Sequence, residues 1–237
     1  MTLAMIDRAV QALCLEVDAL GSGRSNWRVL AEEELLHEAV ICIFGSQMHF
    51  EVAVAAANRA RSSGLLRPCA MSNKSQGYEA RVVAALSKPL RVQIAGHRRS
   101  VLPRFRNRLA SLLSATVKRI YGQGLSFQAI LCAARSASHA RESLVEAVAG
   151  FGPKQASLYL RRVGFSSELA VLDTHILDYL RMARGIDPKP GSLARLSVYE
   201  QIEQEFRGVA SNFGHAVGCV DLAMWVTMRV AKREAML

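Results

Sequence analysis

The sequence has no long apolar run. Residues 39 to 50 form one of its longer uncharged stretches, and none approaches the roughly 18 apolar residues that a membrane-spanning helix requires. A soluble chain without membrane contact is therefore expected. Met1 to Val10 lacks the basic start and apolar stretch of a secretory signal and carries Asp7 and Arg8 instead, so the expected compartment is the cytosol. Cysteines 14, 42, 69, 132 and 219 are never closer than 27 residues. That spacing excludes a zinc ribbon, a redox motif and the clustered cysteines of a cubane iron-sulfur centre, and it predicts reduced, mostly buried thiols. His49 and His175 have no partner at metal-ligand spacing, so neither a metal nor another cofactor is expected. No internal repeat, long linker or convincing strand pair is visible.

Acidic residues are scarce in one region only. Between Arg59 and Arg119 there are 14 Lys or Arg against the single acid Glu79, whereas the rest of the chain holds 16 basic and 19 acidic residues. The net charge of +10 is thus regional. Either this segment faces a polyanion, where each neutralised phosphate releases counterions, or it forms solvated helix faces. A membrane surface fits less well, because the stretch is not one sustained amphipathic helix. With 51% apolar and 21% charged residues the composition is that of a folded protein. A length of 237 residues suits one unit or two closely packed lobes.

Helical periodicity dominates what is present. Leu35, Leu36, Ala39, Val40 and Ile43 follow a three-four spacing after the acidic turn Glu32 to Glu34, which suits the positive end of a helix. Gly45 and Ser46 interrupt it, and an Ala-rich helix over 50–61 stops at Ser62-Ser63-Gly64. Residues 67–77 read as loop, with punctuation at Lys88-Pro89 and Leu102-Pro103. Further helices are predicted over 104–121, 127–135, 141–149, 153–163, 174–183, 198–206 and 219–233.

Two of these helical patterns meet at Gly150-Phe151-Gly152. The glycines allow a tight hairpin, and Pro153 fits the first turn of the next helix, where its missing N–H costs nothing. The result is either an ordinary helix-to-helix connection or, through exposed amides, a phosphate cradle.

With its neighbours, Gly150-Phe-Gly152-Pro-Lys154-Gln-Ala-Ser-Leu, followed by Ala170-Val-Leu-Asp173-Thr-His175-Ile-Leu, resembles the helix-hairpin-helix superfamily of base-excision DNA glycosylases. Within it, the wording is most similar to the archaeal and bacterial 8-oxoguanine DNA glycosylase/AP lyases of the second type. The likeness runs from about residue 33 to 230. It takes in Leu35 to Gln47 as a first helix with a strand-separating turn, and Tyr199-Glu-Gln-Ile-Glu with Val220-Asp221-Leu222-Ala-Met-Trp225 as a C-terminal signature. The resemblance implies an all-α, two-lobed helix-hairpin-helix glycosylase fold with a cleft between lobes. The expected division is a central lobe over 58–165 and a second lobe from 1–57 plus 166–237. The missing cluster cysteines argue against the branches that carry an iron-sulfur centre.

The implied activity is excision of 8-oxoguanine from double-stranded DNA by a monomer, cytoplasmic and associated with the nucleoid. A base inside a duplex is out of reach, so the nucleotide must be extruded into a pocket. Lys154, 19 residues before Asp173, is the implied amine nucleophile, which would attack the sugar C1′ and leave a Schiff base for β-elimination. Asp173 is implied to stabilise the developing sugar cation. Directly before Thr174-His175-Ile176, it is also an ideal helix N-cap. Gly150, Gly152, Arg104, Arg106, Arg108 and His175 are the expected DNA contacts. Gln47 is either the wedge that fills the gap left by the extruded base or a plain loop residue. Trp225 and Phe213 either stack on that base or belong to the core.

The chain departs from the family at its end. Members usually finish in a short Gly-Lys-Leu-Lys-like tail that helps hold the base, whereas this chain continues Arg229-Val-Ala-Lys232-Arg233-Glu-Ala-Met-Leu237. That leaves the base open. The alternatives are a glycosylase for another modified purine and a non-catalytic helix-hairpin-helix DNA-binding module. The presence of both Lys154 and Asp173 favours an enzyme.

Overall fold

The computed structural model describes residues 2–20, 26–46, 48–67, 77–94 and 96–234. Among them are eleven α-helices and one two-stranded sheet, and the fold class is all-α as expected. No described helix is long and apolar enough to cross a membrane.

The chain forms two compact units, residues 26–151 and residues 1–25 with 152–237. The boundaries differ from the expected 57/58 and 165/166, and the reason lies in α2 (Glu32–Gly45) and α3 (Phe50–Ser62). Ala39 to Phe44 of α2 are buried without interruption, so this helix is apolar on every side and must be enclosed. It is enclosed by α3, α5 (Arg106–Ile120) and α6 (Phe127–Ala133), which places α2 and α3 in the central unit. The acidic turn of α2 secures that packing. The Glu32 carboxylate accepts hydrogen bonds from the Phe127 and Gln128 amides at 2.7 and 3.1 Å and from the Tyr121 hydroxyl at 2.7 Å. Glu34 accepts from the Ala31 amide at 2.8 Å, closing the start of its own helix.

The central unit also contains α4 (Tyr78–Leu86), α7 (Ala137–Ala147) and a hairpin absent from the sequence expectation. Strand β1 (Leu90–Ile94) pairs antiparallel with β2 (His97–Val101), from Leu90 opposite Val101 to Ile94 opposite His97. Leu90 and Val92 point inward while Arg91 and Gln93 face out, the period of two that marks a strand. Five residues of it are too few to stand out between Lys88-Pro89 and Leu102-Pro103, and the other strand is exposed and polar.

The second unit begins with α1 (Leu3–Leu20), whose Ile6, Val10 and Cys14 pack against α11 (Val217–Glu234). With them lie α8 (Pro153–Arg162), α9 (Thr174–Arg184) and α10 (Leu196–Ala210). Its apolar core includes Ala170, Leu172, Ile176, Tyr179, Tyr199 and Phe206. Cys14, Cys42 and Cys219 are buried, Cys132 is exposed, and Cys69 lies outside the described residues.

Candidate active site

The hairpin glycines differ in why they are glycine. Gly150 has φ +85°, a backbone that favours glycine, and a Cβ there would crowd Leu112 Cδ1 at 3.0 Å. Gly152 is extended at φ −113° and a Cβ would meet nothing closer than 3.8 Å, so no conformational demand fixes it. It is the N-cap of α8, and no side chain caps that helix. Pro153 occupies the first position, and Lys154 follows, half-buried, in the first turn.

Asp173 is the N-cap of α9. Its Oδ1 accepts from the His175 and Ile176 amides at 2.8 and 3.1 Å, and Oδ2 takes no part in the cap. The three residues before it are clamped by buried side chains. The Ala170 amide donates to Glu203 Oε1 at 2.9 Å, the Val171 amide to Asp221 Oδ2 at 2.6 Å, and the Leu172 amide to the Tyr199 hydroxyl at 3.0 Å. Asp221 is in turn paired with Arg161 of α8 at 2.5 Å, and burial pushes its carboxyl up while that guanidinium opposes the rise. Arg161 also donates to the Gly218 carbonyl at 2.9 Å.

His175 stands edge-on to Trp225, with ring centroids 6.1 Å apart and planes at 89°. Its Nδ1 is buried without a hydrogen-bond partner, and burial lowers the imidazole pKa. The Arg229 guanidinium lies 4.9 Å from the Trp225 ring centroid, and Lys232 pairs with Asp178 of α9. Helix α11 thus continues beyond Trp225 and brings two cations beside His175. Phe213 is elsewhere. It lines a cavity of about 460 Å³ with Asp7, Gln11, Tyr179, Ala183 and Arg184, toward the other end of α9, and is not brought together with Trp225.

In the central unit, Arg104 and Arg108 are exposed and Arg106 is half-buried. Of the described Lys and Arg between 59 and 119, all but Arg59 and Arg106 are exposed. Arg104 and Arg99 border an open cleft of about 590 Å³ with Met48, His49, Val52 and Leu102. Phe105, between two of the candidate arginines, is 56% exposed and held at φ +55°, a backbone that Phe adopts only under constraint. No sequence pattern announces such a residue, since neither its φ nor its exposure is periodic. Gln47 lies outside the described residues. Tyr199, Glu203, Asp221 and Arg161 carried a sequence likeness at most, and their convergence on one segment emerges only in three dimensions.

Among curated proteins, the 8-oxoguanine DNA glycosylase/AP lyase of Saccharolobus solfataricus is 33% identical over 122 residues, 52% of this chain and 58% of that protein. The chain thus spans a little over half the length of that relative. Among solved structures, the 8-oxoguanine DNA glycosylase of Methanocaldococcus jannaschii matches with a TM-score of 0.67 at 21% identity, covering 94% of this chain and 92% of that one. The 8-oxoguanine glycosylase/lyase of the same organism in complex with a 15mer DNA containing 8-oxoguanine gives 0.63 at 22%, covering 94% and 88%. At these identities the likeness establishes the fold. The family model described as 8-oxoguanine DNA glycosylase matches residues 22–215, most of the chain, and the protein belongs to that helix-hairpin-helix family.

Proposed function

We propose that this protein excises 8-oxoguanine from duplex DNA and nicks the strand at the resulting abasic site. One observation carries the reading. An amine in the first turn of a hairpin-started helix and a carboxylate on a tightly clamped segment occur in one unit of a chain that belongs to this family. In the proposed reaction the unprotonated Lys154 Nζ attacks C1′ and the base departs with the glycosidic electron pair. The C1′–O4′ bond of the resulting aminal then opens, O4′ taking up the proton the amine gives up, to leave an imine that acidifies the C2′ proton, whose loss expels the 3′ phosphate by β-elimination. Asp173 spends Oδ1 on the helix cap and keeps Oδ2 for the positive charge that develops on the sugar.

Around that centre, the Gly150 to Gly152 hairpin and the uncapped start of α8 hold backbone phosphate, as does His175. Arg104, Arg106 and Arg108 bind the duplex from the central unit, and Gln47 is the wedge. Trp225, half-buried with Arg229 over its ring, is the stacking surface for the extruded base. Phe213, beside Asp7 and Gln11 toward the other end of α9, is not part of that surface. The substrate puts the protein on the nucleoid, in the cytoplasm, acting as a monomer without a cofactor.

The test is base release from duplexes that differ only in one residue: 8-oxoguanine, hypoxanthine, ethenoadenine or unmodified guanine. Release and nicking at 8-oxoguanine above all others supports the proposal. Preferential release of another purine would assign a different base, and tight binding with no release from any duplex would leave only a binding module.

A further inference from the structure

Lys154 lies on α8, and Asp173 follows the segment 170–172. Two polar bridges, one buried and one part-buried, join these elements, and both leave α8 from the face that holds Lys154. Residues 154, 157 and 161 are spaced by three and four, so they line one side of the helix. Ser157 is fully buried and hydrogen-bonds the Tyr199 hydroxyl. That hydroxyl donates to the Ala170 carbonyl at 2.8 Å and accepts from the Leu172 amide at 3.0 Å. The second bridge runs from Arg161 through Asp221 to the Val171 amide, 2.5 Å and 2.6 Å. Gly218 makes room for it. Its amide donates to the Ser167 carbonyl at 2.7 Å, and a Cβ there would stand 3.0 Å from that oxygen and 3.2 Å from Arg161 Nε.

We infer that Tyr199, with Ser157, and the Arg161–Asp221 pair are positioning residues that set the helix bearing Lys154 in register with the segment presenting Asp173. The inference rests on the reading that Lys154 and Asp173 carry the chemistry. Apolar packing alone would fill the space around Leu172 and Leu160, but it leaves the segment free to slide by fractions of an ångström. Three successive amides, each fixed to a different buried side chain, do not slide. A displacement of about 1 Å at a reacting group is enough to cost on the order of a hundredfold in rate.

Tyr199→Phe keeps the ring and deletes the hydroxyl, and Ser157→Ala removes only the α8 end of the same bridge, leaving both bonds of Tyr199 to residues 170 and 172. For each, single-turnover base release from an 8-oxoguanine duplex is measured with enzyme in excess, beside the dissociation constant for that duplex and the thermal midpoint. A double-mutant cycle with Asp173→Asn completes the set. Positioning predicts that base release slows about tenfold or more per folded molecule while lesion affinity changes less than about twofold. It also predicts that Tyr199→Phe costs little once Asp173 is replaced by asparagine. Should Tyr199→Phe not fold, Ser157→Ala alone must show the loss. Unchanged rates in both folded variants overturn the inference, and so does a Tyr199→Phe effect that is as large in the Asp173→Asn background as with the native Asp173. A wild-type protein that releases no base overturns the reading of the site itself and this inference with it. An active wild type with indifferent variants overturns this inference alone.

Discussion

At Asp173 a cap and a charge share one side chain, and substitution can part them. Asparagine caps as well as aspartate, so Asp173→Asn should leave the thermal midpoint close to that of the wild type. Single-turnover base release should fall by about 10² to 10³. Asp173→Ala removes the acceptor for the His175 and Ile176 amides and should cost about 0.5–2 kcal/mol in denaturant unfolding as well. Two residues along, the His175 imidazole has its pKa lowered, first by burial, with Lys232 and Arg229 acting in the same direction and Asp173 and Asp178 opposing. As pH falls through the ordinary value of 6.5, the unfolded chain takes up a proton that the folded protein refuses. This histidine therefore makes stability fall as pH drops from that value toward the lower folded-state pKa. His175→Gln should flatten the stability profile in that window, seen as a smaller difference between midpoints at pH 7 and pH 5. Asp173 was legible as a cap from its place before Thr174-His175-Ile176. The three clamps behind it were not, because Tyr199, Glu203 and Asp221 come from two other helices.

Among the elements, legibility followed the strength of the repeat. Helices α2, α3, α5, α8 and α9 lie close to their expected ranges, since each has either an apolar stripe at three-four spacing or a stop signal such as Ser62-Ser63-Gly64. The first helix was missed although Ile6, Val10 and Cys14 carry its stripe, because Asp7, Arg8 and Gln11 break the run when it is read as a linear segment. Helix α4 has nine residues and too few turns for a period to register. The hairpin between α7 and α8 was readable as a turn, but the separate reasons for its two glycines were not. Gly150→Ala forces a side chain into left-handed backbone and against Leu112, and should destabilise the protein by about 1–2 kcal/mol in urea unfolding. Gly152→Ala, at an extended position with open space, should cost less than half as much. Equal losses at the two positions would contradict this account of the turn.

Over the whole molecule, the charge asymmetry visible in the sequence is also an asymmetry of exposure. The described basic residues between 59 and 119 lie at the surface of the central unit, Arg59 and Arg106 apart, and Arg61 there stands 3.4 Å from Glu33. Binding to duplex DNA should therefore weaken steeply with salt. Replacing Arg104, Arg106 and Arg108 by Ala should reduce the slope of log K against log salt by about 0.9 for each phosphate no longer neutralised, with similar effects on damaged and undamaged duplex. The unit boundaries were not legible, because nothing in the composition around residue 58 or 165 separates a helix that is enclosed from one that encloses. The claim on which the function depends is a covalent one, and borohydride tests it most directly. An imine between Lys154 and C1′ is reduced to a permanent link, so the wild-type protein incubated with an 8-oxoguanine duplex and borohydride should give a protein–DNA species that survives denaturation. Lys154→Gln should bind the same duplex and give none. A wild-type protein that binds the lesion tightly yet traps nothing, or a Lys154→Gln variant that traps as well as the wild type, would contradict it.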